Sequence, residues 1–349
     1  MLCLTLPVSL DVPTSIADHS IGSPGFIDAC VAAKRQLPGQ LTSALSDLVA
    51  GNGPEVLLVR GVDVGDLPAT PPQPDAIVAK DRRSEFTLLT IASAAGEPVG
   101  YLPELGGHIV QNLVPVREAA ARQVSTSSAV TLAFHTETAF HPHKPRLLAL
   151  LCLRGNHTAK TTFCTVSDAL ANLDDATKAT LRQPLFRTRP DESFLREGAV
   201  AEPGPLMAVV TGPDDAPTFT FDEELMASTT TDGTRALQRL TFAVRARQHS
   251  VVLEPGDLLI IDNTRAVHGR SPFTPRYDGT DRWLQRTFIV ADLAPSTLER
   301  NGRVITTQFG TARASLGYAE GVAGGRKSIL RTKIPSSIDA TASPIIAKS

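Results

Sequence analysis

The sequence predicts a mainly β chain with flanking helices, an α+β protein built on one elaborated β sandwich or barrel. Three observations predict it. Short apolar runs read as buried strands: 55–60 (EVLLVR) between Pro54 and Gly61, 147–153, and 251–262 (VVLEPGDLLIID), where a Pro-Gly-Asp turn joins two strands. Helical spacing is confined to a few segments. Long irregular stretches separate the strands without any internal repeat, which fits inserts in one domain better than two domains.

In chain order, residues 26–50 read as helix interrupted at Pro38-Gly39, with Leu41, Leu45 and Leu48 forming one core stripe. Residues 55–60 read as a strand, and 64–84, rich in Pro and Asp, as a loop. Residues 86–94 suit helix and strand equally. Residues 129–134 (AVTLAF) run straight into His135-Thr136-Glu137, and 147–153 read as a fully buried strand. Residues 167–182 read as helix with Ser167 as its N-cap. The stretch 183–234 is irregular and rich in Pro and acidic residues, and 236–247 is helical. Residues 251–262 read as strand, Pro-Gly-Asp turn and second strand, and 283–290 as a further strand. The end of the chain, 326–349, reads as a loose tail.

Composition narrows the function. A net charge of -2 over 349 residues argues against nucleic acid or an anionic membrane as partner. Aromatic residues at 5% are too sparse for base-stacking platforms. No apolar run approaches the roughly 20 residues of a membrane-spanning helix. Cys3, Cys30, Cys152 and Cys164 show no CxxC spacing, so reduced thiols in a cytoplasm are the simplest reading.

The chemistry-bearing pattern is His135-Thr136-Glu137, answered downstream by His268. On a strand, side chains alternate faces, so His135 and Glu137 would point the same way. Two imidazoles and a carboxylate can hold a metal on one face and leave the other open, as in non-haem Fe(II) oxygenases. The three remaining octahedral positions would accept a bidentate 2-oxo acid and dioxygen. A zinc-dependent hydrolase would use the same residue types. His141, His143 and His157 lie close enough in sequence to be ligands too, although a solvated loop is the simpler setting for His141 and His143.

Several motifs, in order, carry a resemblance: FHTETAFH at 134–141, PGDLLIIDN at 255–263, HGRSPF at 268–273 and DRWL at 281–284. Over about residues 107–292 the chain resembles the clavaminate synthase-like branch of the Fe(II)/2-oxoglutarate dioxygenases, related to taurine dioxygenase. The resemblance implies a double-stranded β-helix (jelly-roll) core at about 100–292 and a lid insert at about 183–234. Both would lie within a single domain spanning 1–325. It implies Fe(II) held by His135, Glu137 and His268, with 2-oxoglutarate and O2 as co-substrates. It implies that Arg282 grips the distal carboxylate of 2-oxoglutarate, as an arginine fork can, and that Thr161, next to Thr162, assists.

The resemblance also implies a substrate site. Arg286 holds the position that carries the substrate carboxylate in amino-acid oxygenases. Four residues apart on a strand, Arg282 and Arg286 would share a face about 13 Å apart. Asp222 would meet a basic or amide group of the substrate, and Glu104 its amine. The implied activity is hydroxylation of a β or γ carbon of a free, arginine-like or asparagine-like L-amino acid, in specialised metabolite (antibiotic) biosynthesis. A taurine-dioxygenase-like oxygenase of a small organic acid is the alternative.

Overall fold

The computed structural model describes residues 1–312, so the tail expected at 326–349 lies outside the described residues. The described residues form one compact unit. It opens with β1 (Leu2–Val8), α1 (Pro24–Ala33), α2 (Gly39–Ala50), β2 (Val56–Val62), α3 (Arg83–Ala95), β3 (Glu97–Tyr101) and β4 (Gln111–Leu113). Next come β5 (Leu132–His135), β6 (Leu147–Arg154), β7 (Lys160–Thr165), α4 (Val166–Ala171) and α5 (Asp175–Leu181). The insert carries β8 (Phe186–Thr188), β9 (Ala199–Val200), β10 (Val210–Thr211), β11 (Thr218–Phe219) and β12 (Met226–Ser228). The chain continues through α6 (Thr231–Ala246), β13 (His249–Val252), β14 (Leu258–Asp262), β15 (Ala266–Arg270) and β16 (Trp283–Val290). It closes with β17 (Arg300–Asn301), β18 (Val304–Ile305) and β19 (Thr311–Ala312).

Two sheets dominate. The larger runs β1-β2-β14-β6-β16-β3-β18-β17, with β4 also paired to β16; the smaller runs β13-β7-β15-β5. Strand alternation sorts their side chains into three cores. From β6, Leu147, Ala149 and Leu151 pack outward against α1–α3. Leu148, Leu150 and Cys152 pack inward with Leu259 and Ile261 of β14, Leu284 and Phe288 of β16, and Phe163 and Ala266 of the smaller sheet. On the far side, Cys164, Val267 and Phe134 pack against α4, α5 and α6. The layers are therefore helix, sheet, sheet, helix. Strands β6, β14 and β16 are covered on both faces, which is why they read as unbroken apolar runs.

Several local expectations change. Residues 86–94 are helical, inside α3. The helix expected at 167–182 is two helices, capped by Thr165 and Asp174 in place of Ser167, and each cap oxygen accepts a backbone N–H three residues on. Helix α6 starts at Thr231 behind a Thr230 cap, ahead of the expected 236. The two strands around Pro255-Gly256 belong to different sheets, so that turn carries the chain from one layer to the other. Gly256 has φ +85°, and a Cβ there would lie 2.8 Å from the Val62 carbonyl oxygen, so the turn requires glycine. Among the described residues no helix is long and apolar enough to cross a membrane. All four cysteines are free.

Candidate metal centre and active site

His135 ends β5 and His268 sits directly across from it on β15. Glu137 is not on a strand, as the alternation argument requires, because β5 stops at His135. Its position is fixed by Asn263 at the end of β14. The Glu137 amide donates to Asn263 Oδ1 (2.7 Å), while Asn263 Nδ2 donates to the Glu137 carbonyl (3.1 Å) and the Pro145 carbonyl (2.9 Å). One ligand atom from each of His135, Glu137 and His268 lies within 4.8 Å of the others. The carbonyl of Ala133 can only accept, so His135 Nδ1, 2.8 Å away, carries the proton and leaves Nε2 free to ligate. His268 presents Nε2 at 3.5 Å from Glu137 Oε2.

The charge states suit a metal. Burial, with the neighbouring His135 adding to it, pulls His268 down to about 4, so it is neutral and able to ligate near pH 7. Burial pushes the Glu137 carboxyl up, but Arg286 and the two imidazoles outweigh it and hold it down at about 2. A carboxylate and two imidazoles on one side of a cavity are a donor set that fits Fe(II). His141, His143 and His157 are not in this cluster.

A cavity of about 650 Å³ opens on the triad, between the sheets and under the insert. Arg282, Arg286, Thr161, Asp222 and Glu104 all line it. Arg282 immediately precedes β16 and is 7% exposed. It makes no hydrogen bond or ion pair with any described residue; the Phe273 ring lies 5.9 Å from its guanidinium carbon. Burial lowers its pKa to about 10. The Thr161 hydroxyl is buried and likewise unpartnered. Thr161 shares the inward face of β7 with Phe163, and Thr162 points to the other face, which separates the two candidates. A buried cation and a buried hydroxyl without partners are groups that want a ligand.

Arg286 differs from Arg282, because its guanidinium is fully engaged. Nε and Nη2 donate to Gln111 Oε1 (3.0 and 2.6 Å), and Nη2 also to Glu104 Oε2 (2.7 Å). Nη1 faces both oxygens of Glu137 at 3.5 and 3.4 Å. Glu104 is thus in the site, with its carboxyl pushed up to about 7 by burial against the pull of Arg286. Asp222 is 8% exposed, not part of a solvated acidic loop. The insert segment around it lies along the free edge of β5. Thr136 N donates to Phe221 O (2.7 Å), Phe221 N donates to Thr136 Oγ1 (3.0 Å), and His135 bridges Asp222. Asp222 Oδ1 accepts from the amides of Glu224 (2.9 Å) and Leu225 (2.7 Å), and burial raises its pKa.

Sequence reasoning missed Asn263, which clamps Glu137, and Gln111, which clamps Arg286. Asn263 closes the 255–263 motif, where a polar residue ending an apolar strand was the available signal; Gln111 stood in none of the quoted motifs. Asp191 and Phe194 of the insert also line the cavity and were not foreseen. His141 is not in a solvated loop: it is 1% exposed, set among Tyr101, Phe194 and Phe309.

With this geometry in hand, the chain can be set beside known proteins. It is 38% identical over 294 residues to L-lysine 3-hydroxylase of Catenulispora acidiphila, covering 81% of this chain and 82% of that one. A solved structure of asparagine oxygenase with Fe(II), 2S,3S-3-hydroxyasparagine and succinate is similar, with TM-score 0.78, 32% identity, and coverage of 88% of this chain and 100% of that one. The non-heme iron oxygenase OrfP in complex with Fe, succinate and (3S)-hydroxy-L-Arg is similar at TM-score 0.77, 28% identity, and coverage of 87% and 100%. Residues 32–288 match a family that is described as taurine catabolism dioxygenase TauD, TfdA family. An oxygenase family leaves the hydrolase alternative without support, and the chain belongs to this TauD/TfdA dioxygenase family.

Proposed function

We propose that the protein is a non-haem Fe(II)- and 2-oxoglutarate-dependent oxygenase that hydroxylates a β or γ carbon of a free L-amino acid with a basic or amide side chain. One observation carries the reading. A single cavity holds the His135/Glu137/His268 donor set and Arg282, a buried guanidinium that no anion among the described residues meets. His135, Glu137 and His268 would hold the iron. Arg282 would take the distal carboxylate of 2-oxoglutarate in a bidentate grip, with the Thr161 hydroxyl beside it. Bound there, iron and 2-oxoglutarate with O2 supply oxidative decarboxylation and attack on an unactivated C–H bond, chemistry that no side chain offers.

The remaining residues position the substrate. Arg286 and Glu104, 2.7 Å apart, match the two charges of an amino-acid zwitterion. An α-carboxylate on Arg286 and an α-ammonium on Glu104 would replace one internal ion pair by two. Asp222 would meet the side chain's cationic or amide end, with Asp191 and Glu224 making that wall acidic. Fixing both ends of the substrate sets which carbon faces the metal. The relatives support this class: one is named for lysine, and two were solved with hydroxylated asparagine or arginine. The facing sheets are read as a double-stranded β-helix, and residues 183–234 as a lid that supplies Asp191 and Asp222.

The test is a panel of L-amino acids added to the anaerobic Fe(II)/2-oxoglutarate enzyme and then exposed to oxygen. Succinate release and a product heavier by one oxygen atom should rise with lysine, ornithine, arginine or asparagine. A panel in which no amino acid stimulates succinate release refutes the proposed substrate class.

A further inference from the structure

Strands fix the cavity wall on the sheet side, but the wall on the insert side needs its own support. Phe140 and Phe194 line that side, with ring centroids 5.0 Å apart and edge-on. Behind them, outside the cavity lining, stands Phe309, from the segment after β16 that the sequence motifs do not reach. Its ring lies 5.3 Å from Phe140, 5.3 Å from His141 and 6.5 Å from Phe194.

The backbone of the same residue is tied to the insert. Phe309 N donates to the Phe194 carbonyl (2.9 Å), and Arg196 N donates to the Phe309 carbonyl (3.1 Å). Strand β19 then pairs with β9 of the insert. Gly310 makes the approach possible: its φ is +90°, and a Cβ there would lie 2.7 Å from Ala199 Cβ. Upstream, the Thr307 hydroxyl donates to the Glu299 carboxylate, which also meets His143 Nε2 at 3.4 Å. The segment is thus anchored both to the loop that follows Glu137 and to the insert.

We propose that Phe309 is a positioning residue for the oxygenase reaction, a buttress that holds Phe140 and Phe194 against the substrate side of the cavity and keeps residues 191–196 closed over it. This rests on the function proposed above. The ring touches neither the metal ligands nor the cavity, so it acts through the two phenylalanines. Edge-on aromatic pairs each shift an equilibrium by roughly two- to tenfold, so losing the edge-on pairs that Phe309 makes with Phe140 and His141, along with its tilted contact to Phe194, should loosen the wall by about tenfold. A loosened wall lets the target carbon wander from its reactive position, while the 2-oxoglutarate pocket, built from Thr161 of β7 and Arg282 at the head of β16, is untouched.

The experiment uses the full chain and compares wild type with Phe309→Ala and Phe309→Leu. In Phe309→Ala the KM for the amino acid should rise about tenfold, the KM for 2-oxoglutarate should stay put, and more succinate should form per hydroxylated product; Leu, which keeps apolar bulk but loses the ring pairs, should show the same shifts at smaller size. Amide exchange at Arg196 should quicken in Phe309→Ala, while exchange in β6 and β16 stays slow. Wild-type coupling and KM in Phe309→Ala overturn the proposal. If the wild type turns over no amino acid, the functional reading fails by itself, and unchanged exchange at Arg196 still overturns the buttress. If the Ala variant unfolds, the Leu variant decides by the same readouts.

Discussion

Arg282 sets the terms at the scale of single residues. A guanidinium withdrawn from water costs several kcal/mol unless an anion meets it, and no described carboxylate does. The consequence has two signs. In Arg282→Ala the KM for 2-oxoglutarate should rise roughly thirtyfold or more, since losing a buried charged partner costs about 2 kcal/mol or more. The ligand-free variant should be no less stable than wild type, because the charge it loses has no partner among the described residues. Steady-state kinetics at saturating amino acid and urea denaturation of the ligand-free protein check the two halves. An unchanged 2-oxoglutarate requirement would assign Arg282 elsewhere. Arg286 offers the contrast: its hydrogen bonds to Gln111, Glu104 and Glu137 make it part of the site's own framework.

At the scale of elements, the loop after β5 carries a pH prediction. Burial, aided by repulsion from His143, holds His141 down at about 3, against an ordinary 6.5. The folded state therefore keeps this imidazole neutral where the unfolded chain protonates it. Between pH 6.5 and about 3 the unfolded state binds more protons, so stability falls as pH falls through that window, by at most about 1.4 kcal/mol per pH unit for this group. Urea midpoints measured between pH 7.5 and 5 should decline less steeply in His141→Asn than in wild type; equal slopes would sink the assignment. The same loop shows what the sequence could and could not say. Strands such as 283–290 were legible because burial on both faces leaves an unbroken apolar run. The triad was legible because motif order fixes it. His141 was not, because nothing in a loop's sequence tells which rings it will lie among. Nor was the geometry at Glu137: alternation along a strand predicts convergence with His135, but Asn263 produces it after the strand has ended. The break between α4 and α5 was missed because Asp174 caps a new helix inside a stretch that reads as one.

For the whole molecule, helix layer and cavity share one sheet, and the single tryptophan sits where they meet. Trp283 is fully buried on the helix side of β16, its indole N–H donating to Asn112 Oδ1 (2.9 Å). Gln285 reaches Glu85 of α3 from the same face (2.8 Å), while Leu284 and Arg286 line the cavity from the other. Metal site and helix layer should therefore be lost together. In urea, the Trp283 emission change and the release of bound Mn(II), a redox-silent substitute for Fe(II), should share one midpoint. Metal release at clearly lower urea would show that the site opens ahead of the layer behind it.

The alternation along β16 also bears on how such an enzyme can be rebuilt. Trp283, Gln285 and Ile289 belong to the helix side; Arg282, Leu284 and Arg286 belong to the cavity. Adjacent letters of the sequence thus answer to different selections, one for having a folded protein and one for what it transforms. Variation confined to the cavity parity can explore new substrates while leaving the scaffold's own contacts alone. A single inserted or deleted residue would exchange the two sets, so along this strand substitution is an available route to new chemistry and length change is not.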